Sequence, residues 1–176
     1  MSYASKVFLL GLISIVTFFS SAHADDLALP TNDVVLTISG DISVTNVEDT
    51  AQFDLEMLFD IDAQIIETST IWTDGVQKFQ GVPLHVLLDC LGVTSGTILA
   101  TAINDYTVEI PVSDVVEGGP MIAYKLNDEL MSVRDKGPLW VVYPYDDSAE
   151  YRTEVVYSRS IWQLDRIEFV QADLGL

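Results

Sequence analysis

Short runs rich in β-branched and aromatic residues, each closed by glycine or by an Asn-Asp pair, recur along this chain, and one segment carries strong helical spacing. Val34 to Ser39 ends at Gly40-Asp41, and Ile42 to Thr45 is expected to return as a second strand. Ile65 to Trp72 reads as another. Thr97 to Ala102 and Tyr106 to Pro111 flank Asn104-Asp105, while Met121 to Leu126 and Glu129 to Val133 flank Asn127-Asp128, so each pair predicts a hairpin. Leu139 to Tyr143 has the unbroken apolar character of a buried strand, and Ile167 to Val170 supplies a closing one. Pro83 opens the clear helix, Leu84, Leu87, Leu88 and Leu91 set its apolar stripe, and Gly92 stands just past its end. A shorter helix is expected over Ala51 to Leu58, capped by Asp49 or Thr50. Strands dominate and do not alternate regularly with helices, which predicts an α+β domain with a mostly mixed β-sheet and few short helices.

The N-terminus adds a constraint of location. Lys6, the apolar run from Val7 to Phe19 and then Ser20-Ser21-Ala22-His23-Ala24 form the three-part pattern of a secretory signal peptide, predicting cleavage after Ala24. The apolar run is short of the ~20 residues that span a bilayer. The expected organisation is a leader over 1–24, a polar tether over 25–33 and one domain over 34–176. The formal net charge of −19 becomes −20 once Lys6 leaves with the leader. Such a chain repels phosphate backbones and anionic lipid heads, which argues against nucleic acid and against membrane insertion after cleavage. Cys90 is the single cysteine, so no internal disulfide can form and the fold rests on its core. Its reading is that of a small core residue.

Several chemistries are disfavoured by the residues themselves. His85 is the one histidine beyond the leader, and no Gly-x-Ser-x-Gly elbow accompanies it. One His and one Cys do not make a zinc site. Asp60-x-Asp62 lacks the glycine and the terminal glutamate of a calcium loop.

The stretch Thr70-Ile71-Trp72-Thr73-Asp74-Gly75, followed by Phe79-Gln80-Gly81-Val82-Pro83-Leu84, resembles the pterin-cradling segment of the sulfite-oxidase-type molybdopterin-binding domain. Ser39-Gly40-Asp41, Asn104-Asp105-Tyr106, Gly137-Pro138-Leu139-Trp140-Val141-Val142-Tyr143-Pro144 and Arg159-Ser160-Ile161-Trp162-Gln163-Leu164 match in the same order. In that family a cysteine just upstream of the Gly-x-Pro-Leu turn ligates molybdenum, whereas Glu67, Thr68, Ser69 and Thr70 fill that neighbourhood here. Oxygen side chains are poor substitutes for soft sulfur. Cofactor-loaded members typically cross the membrane folded, on a twin-arginine signal, and Met1 to Lys6 contains no arginine.

The chain is most similar to the small exported members of that family. The resemblance implies a non-catalytic periplasmic sensor that binds a reduced monapterin- or biopterin-like pterin without molybdenum. Its implied partner is the periplasmic domain of a membrane-bound protein of cyclic-di-GMP metabolism, a setting tied to biofilm control. A molybdopterin-dependent oxidoreductase or its accessory subunit, and a ligand-free interaction module, are the alternatives. For the pterin site it points to Trp72, Thr73, Asp74, Asp105, Tyr106, Tyr145, Asp146, Arg159 and Trp162. Trp72 offers a stacking face, Arg159 a fork of donors aimed at the pocket, and Tyr145-Asp146 a closing loop. On spacing alone Asp74-Gly75 and Asp105-Tyr106 are hairpin turns, Tyr145 and Asp146 part of a solvated acidic loop, Arg159 a partner for a nearby carboxylate, and Trp72 and Trp162 core anchors.

Overall fold

The computed structural model describes residues 27–171; the leader expected over 1–24 lies outside them. Two sheets share one core. The first has the order β2-β1-β10-β5-β6, from β1 (Leu36–Gly40), β2 (Ala51–Phe53), β5 (Thr97–Ala102), β6 (Thr107–Pro111) and β10 (Leu164–Val170). The second runs β3-β4-β7-β8, from β3 (Gln64–Ser69), β4 (Val76–Pro83), β7 (Met121–Leu126) and β8 (Glu129–Leu130), with β9 (Trp140–Val142) also paired to β7. Three short helices complete the domain: α1 (Leu55–Asp60), α2 (Leu84–Leu91) and α3 (Glu154–Arg159). Both parallel and antiparallel pairings occur, β1 with β10 being parallel. The α+β expectation stands. Among the described residues no helix is long and apolar enough to cross a membrane.

Period-two burial explains the strands. Leu36 and Ile38 of β1, Ile98, Ala100 and Ala102 of β5, and Ile167 and Phe169 of β10 point inward, with less buried residues between them. β9 is buried on both faces, as its continuous apolar run requires. In α2 the Leu84, Leu87, Leu88 and Leu91 stripe is buried, and Gly92 takes the left-handed cap at φ +72°. Pro83 is the cap residue, one place before its expected position. Cys90 falls on the outer face of this helix and is exposed, which corrects its reading as a core residue.

The helix expected over Ala51 to Leu58 divides in two. Ala51 and Phe53 turn into the core as β2 and pair with β1, so sheet pairing overrides the helical pattern there. The cap is then Asp54, not Asp49 or Thr50, and its carboxylate accepts from the Met57 amide at 2.9 Å. Ile42 to Thr45 forms no strand; Ser43 N–H instead donates to Leu91 C=O at the end of α2. β3 stops at Ser69, leaving Thr70 to Gly75 as the turn into β4. β4 itself is absent from the sequence reading, because Gly81 and Pro83 look like turn residues. Gly81 is required by proximity: a Cβ there would lie 2.1 Å from the Ile122 carbonyl oxygen of β7.

Asp54 also anchors the expected tether. It is fully buried, and its Oδ2 accepts from the Thr31 and Asn32 amides at 2.8 and 2.9 Å. The Met57 amide, aided by those of Asn32 and Thr31, holds the carboxyl near pH 2, below its ordinary 3.8. A depressed folded-state value stabilises the fold above 3.8, and that contribution disappears as the pH falls toward about 2. The melting temperature should therefore drop across that interval, and Asp54→Asn should flatten the drop while lowering the melting temperature at neutral pH.

Candidate functional site

Trp72 occupies the turn that follows β3. Thr70 Oγ1 accepts from the Trp72 amide at 3.0 Å and lies 2.8 Å from Thr73 Oγ1, so hydroxyls local to the turn hold its backbone. The indole sits among four other rings. Its centroid is 5.9 Å from Trp140, 6.4 Å from Tyr145, 5.7 Å from Tyr157 and 5.6 Å from Trp162, all edge-to-face. This is the arrangement the aromatic quadrupole favours.

A cavity of about 300 Å³ opens beside this cluster. Trp72, Tyr106, Tyr157 and Trp162 form aromatic walls, and Ala102 and Ile161 contribute aliphatic surface. Asn104, Ser158, Ser160 and Gln163 supply amides and hydroxyls. Among the described residues, no charged one lines it. Such a lining suits a small flat molecule with hydrogen-bonding edges.

Three structural units converge here. The β3–β4 turn gives Trp72, the β5–β6 turn gives Asn104 and Tyr106, and the end of α3 with the following segment gives Tyr157 to Gln163. α3 is begun by Thr153, whose hydroxyl accepts from the Val156 amide. Ser160 is held from below: Tyr145 Oη donates to Ser160 Oγ at 2.6 Å, and Ser160 Oγ donates to the Val156 carbonyl at 2.9 Å. Burial pushes the Tyr145 hydroxyl up to about 12, so it stays a donor at physiological pH.

The structure places Trp72, Tyr106 and Trp162 of the expected residues at this cavity. Thr73 supports the turn, and Asp74 is exposed, its carbonyl accepting from Gln77 Nε2. Asp105 pairs outward with Arg166 at 2.6 Å. Tyr145 is a buried support beneath the cavity and not a mobile lid. Asp146 accepts from the Ser69 amide and hydroxyl at 2.6 and 2.7 Å, and the amide chiefly lowers its carboxyl below the usual range. The Arg159 guanidinium pairs with Asp114 beside the buried Tyr143 and does not line the cavity, although Ser158 and Ser160 on either side of it do. Asn104, Tyr157, Ser158, Ser160 and Gln163 were not among the expected residues. Four of them adjoin expected positions, so extending each expected position by one residue finds Asn104, Ser158, Ser160 and Gln163.

This architecture is that of a cofactor-binding α+β domain. Residues 47–171 match the family model described as the oxidoreductase molybdopterin binding domain, and the chain belongs to that family. Among solved structures it is similar to the sulfane dehydrogenase SoxCD from Paracoccus pantotrophus, with a TM-score of 0.56 and 19% identity over 80% of this chain. The match spans 39% of that longer chain, and it shows a shared fold. No curated protein matches the sequence.

The two faces of the cluster should separate by mutation. Tyr106 is 57% exposed, so Tyr106→Ala should alter denaturant stability by no more than ~0.5 kcal/mol. Trp72→Ala strips four ring contacts and should cost about 3 kcal/mol in the same measurement.

Proposed function

We propose that this protein is a non-catalytic periplasmic pterin sensor that relays pterin availability to a membrane-bound partner of cyclic-di-GMP metabolism. The observation that carries the reading is the uncharged, aromatic-walled cavity built from the family-like segments. A pterin's bicyclic ring suits the indole and phenol faces, and its guanidine-like edge suits the amide and hydroxyl groups of Asn104, Ser160 and Gln163.

The family's full cofactor fits this site less well than the ring alone. A phosphate-bearing tail is held best by cations, and among the described residues neither Lys nor Arg lines the cavity. The resemblance implies a cysteine ligand for molybdenum, and Cys90 lies exposed on α2, outside the lining. Among the described residues no cluster of three His, Cys, Asp or Glu side chains is arranged to hold a metal. The residues that match the family thus retain a means of binding a pterin, while the sulfur that would anchor its metal is missing from the cavity. An arginine-free leader accords with export in an unfolded state and capture of the ligand outside. Ligand binding that favours one arrangement of the surrounding turns would change the surface shown to a partner.

Protein purified from its native compartment should release about one equivalent of pterin on denaturation, read by fluorescence after chemical oxidation to the aromatic form, with only traces of molybdenum by elemental analysis. Stoichiometric molybdenum would instead establish the oxidoreductase reading, and neither ligand would leave an interaction module. In titrations with tetrahydrobiopterin, Tyr106→Ala and Trp162→Ala should each weaken binding by at least about tenfold, a loss of ~1.4 kcal/mol.

A further inference from the structure

We propose that the free edge of β3 is the docking site for an extended, lysine- or arginine-rich segment of the partner protein, which adds there as a further strand. This extends the sensor reading by assigning the surface that meets the partner, and its geometric basis is separate from the cavity.

Among the described residues β3 is the outermost strand of its sheet and pairs with β4 alone. Opposite Glu67, Lys78 sends its amide to Asn127 Oδ1 at 3.1 Å and its carbonyl to the Asn127 amide at 2.8 Å, both away from β3. Glu67 and Lys78 are therefore a non-hydrogen-bonded pair, and the backbone N–H and C=O of Glu67 point out of the sheet. Ser69 has the same parity, and its outward amide is taken by Asp146. Ile65, two residues before Glu67 in unbroken register, also faces outward. Among the described residues, no protein group outside the sheet bonds the backbone of Ile65 or Glu67. Open backbone groups on an edge are a template for another strand.

The edge is sealed at Ser69 and open toward Gln64. Near that end a cleft of about 200 Å³ is lined by Gln64–Glu67 together with Pro83 of β4, Met121 of β7, Gly118, Gly119, Pro144 and Asp147. The two glycines leave part of its lining without side chains. Four strand residues span roughly 13 Å, enough for the backbone of a short extended segment.

Charge selects the occupant. Glu67 and Asp147 line the cleft, Glu117 adjoins Gly118, and no lysine or arginine is among the lining residues. Arg152 lies close enough to Asp146 to help lower its carboxyl's pKa, but does not line the cleft. A second copy pairing through β3 would set Glu67 and Asp147 of two strongly acidic chains against each other. A cationic strand meets the opposite field. The edge is joined to the cavity along the chain: β3 leads through Thr70 to Trp72, and Asp146 follows the Tyr145 that supports Ser160.

The test uses the full mature chain, an octapeptide of alternating lysine and valine, and its glutamate-for-lysine counterpart, with amide hydrogen exchange as readout. The lysine peptide should slow exchange at Ile65 and Glu67 by at least about tenfold, and Glu67→Lys should weaken its binding by a similar factor. Ile65→Pro, which removes one outward donor and leaves the β4 ladder intact, should weaken binding in the same direction. Equal binding of the two peptides, insensitivity to Glu67→Lys, or protection elsewhere would overturn the proposal. Concentration-dependent protection of β3 without peptide would replace the partner with a second copy. Measurements with and without tetrahydrobiopterin separate the two readings: β3 protection without any pterin binding defeats the sensor and spares the docking site, and pterin binding without β3 protection does the reverse.

Discussion

The run from Ser160 to Leu164 joins the two sheets. Val141 N–H donates to the Ile161 carbonyl at 2.8 Å, Leu164 N–H to the Leu139 carbonyl at 3.0 Å, and the Trp140 indole N–H to the Ser160 carbonyl at 3.2 Å. These bonds tie β9 of one sheet to the strand that becomes β10 of the other. Buried backbone groups must find partners, so the run has little freedom to move. With its main chain committed to β9, Trp162 and Gln163 are left at the cavity wall. The site is a by-product of how the sheets are fastened.

The aromatic cluster serves both core and cavity. Trp140 is fully buried and edge-on to Phe79 and Trp72, while Trp72 is partly buried and Trp162 is 38% exposed. Burial falls outward from the sheet junction to the opening. Rings locked by other rings lose little further freedom when a ligand arrives, which lowers the entropic cost of binding a flat partner. The alternative readings of Trp72 as core anchor and as ligand platform are compatible, because its ring packs on the core and also borders the cavity.

A molybdopterin cofactor combines a pterin ring, a phosphate and a molybdenum centre. In this chain the surroundings suited to the ring are present, and the cationic and sulfur donors suited to the other two are absent from the cavity lining. The acidic surface and the open β3 edge then bear on what bound pterin would accomplish. A protein with a ligand cavity and a free strand edge joined through one short turn has the parts needed to couple binding to association.

Local chemistry was enough to identify α2, the β5–β6 and β7–β8 hairpins, the buried β9 and the α+β class, because proline, glycine, Asn-Asp pairs and leucine spacing act within a few residues. The family-like segments also located Trp72, Tyr106 and Trp162 in advance. What the sequence alone determined was therefore the pieces marked by turn residues and leucine spacing, together with three of the rings that line the cavity. Tertiary structure decided the rest. Ala51 to Phe53 became a strand because β1 offered a ladder, Gly81 because β7 passes too close for a Cβ, and Arg159 turned to Asp114 because a half-buried guanidinium takes the available carboxylate. Each of these outcomes depends on a neighbour more than twenty residues away or across a sheet, and no periodicity within the segment contains that information.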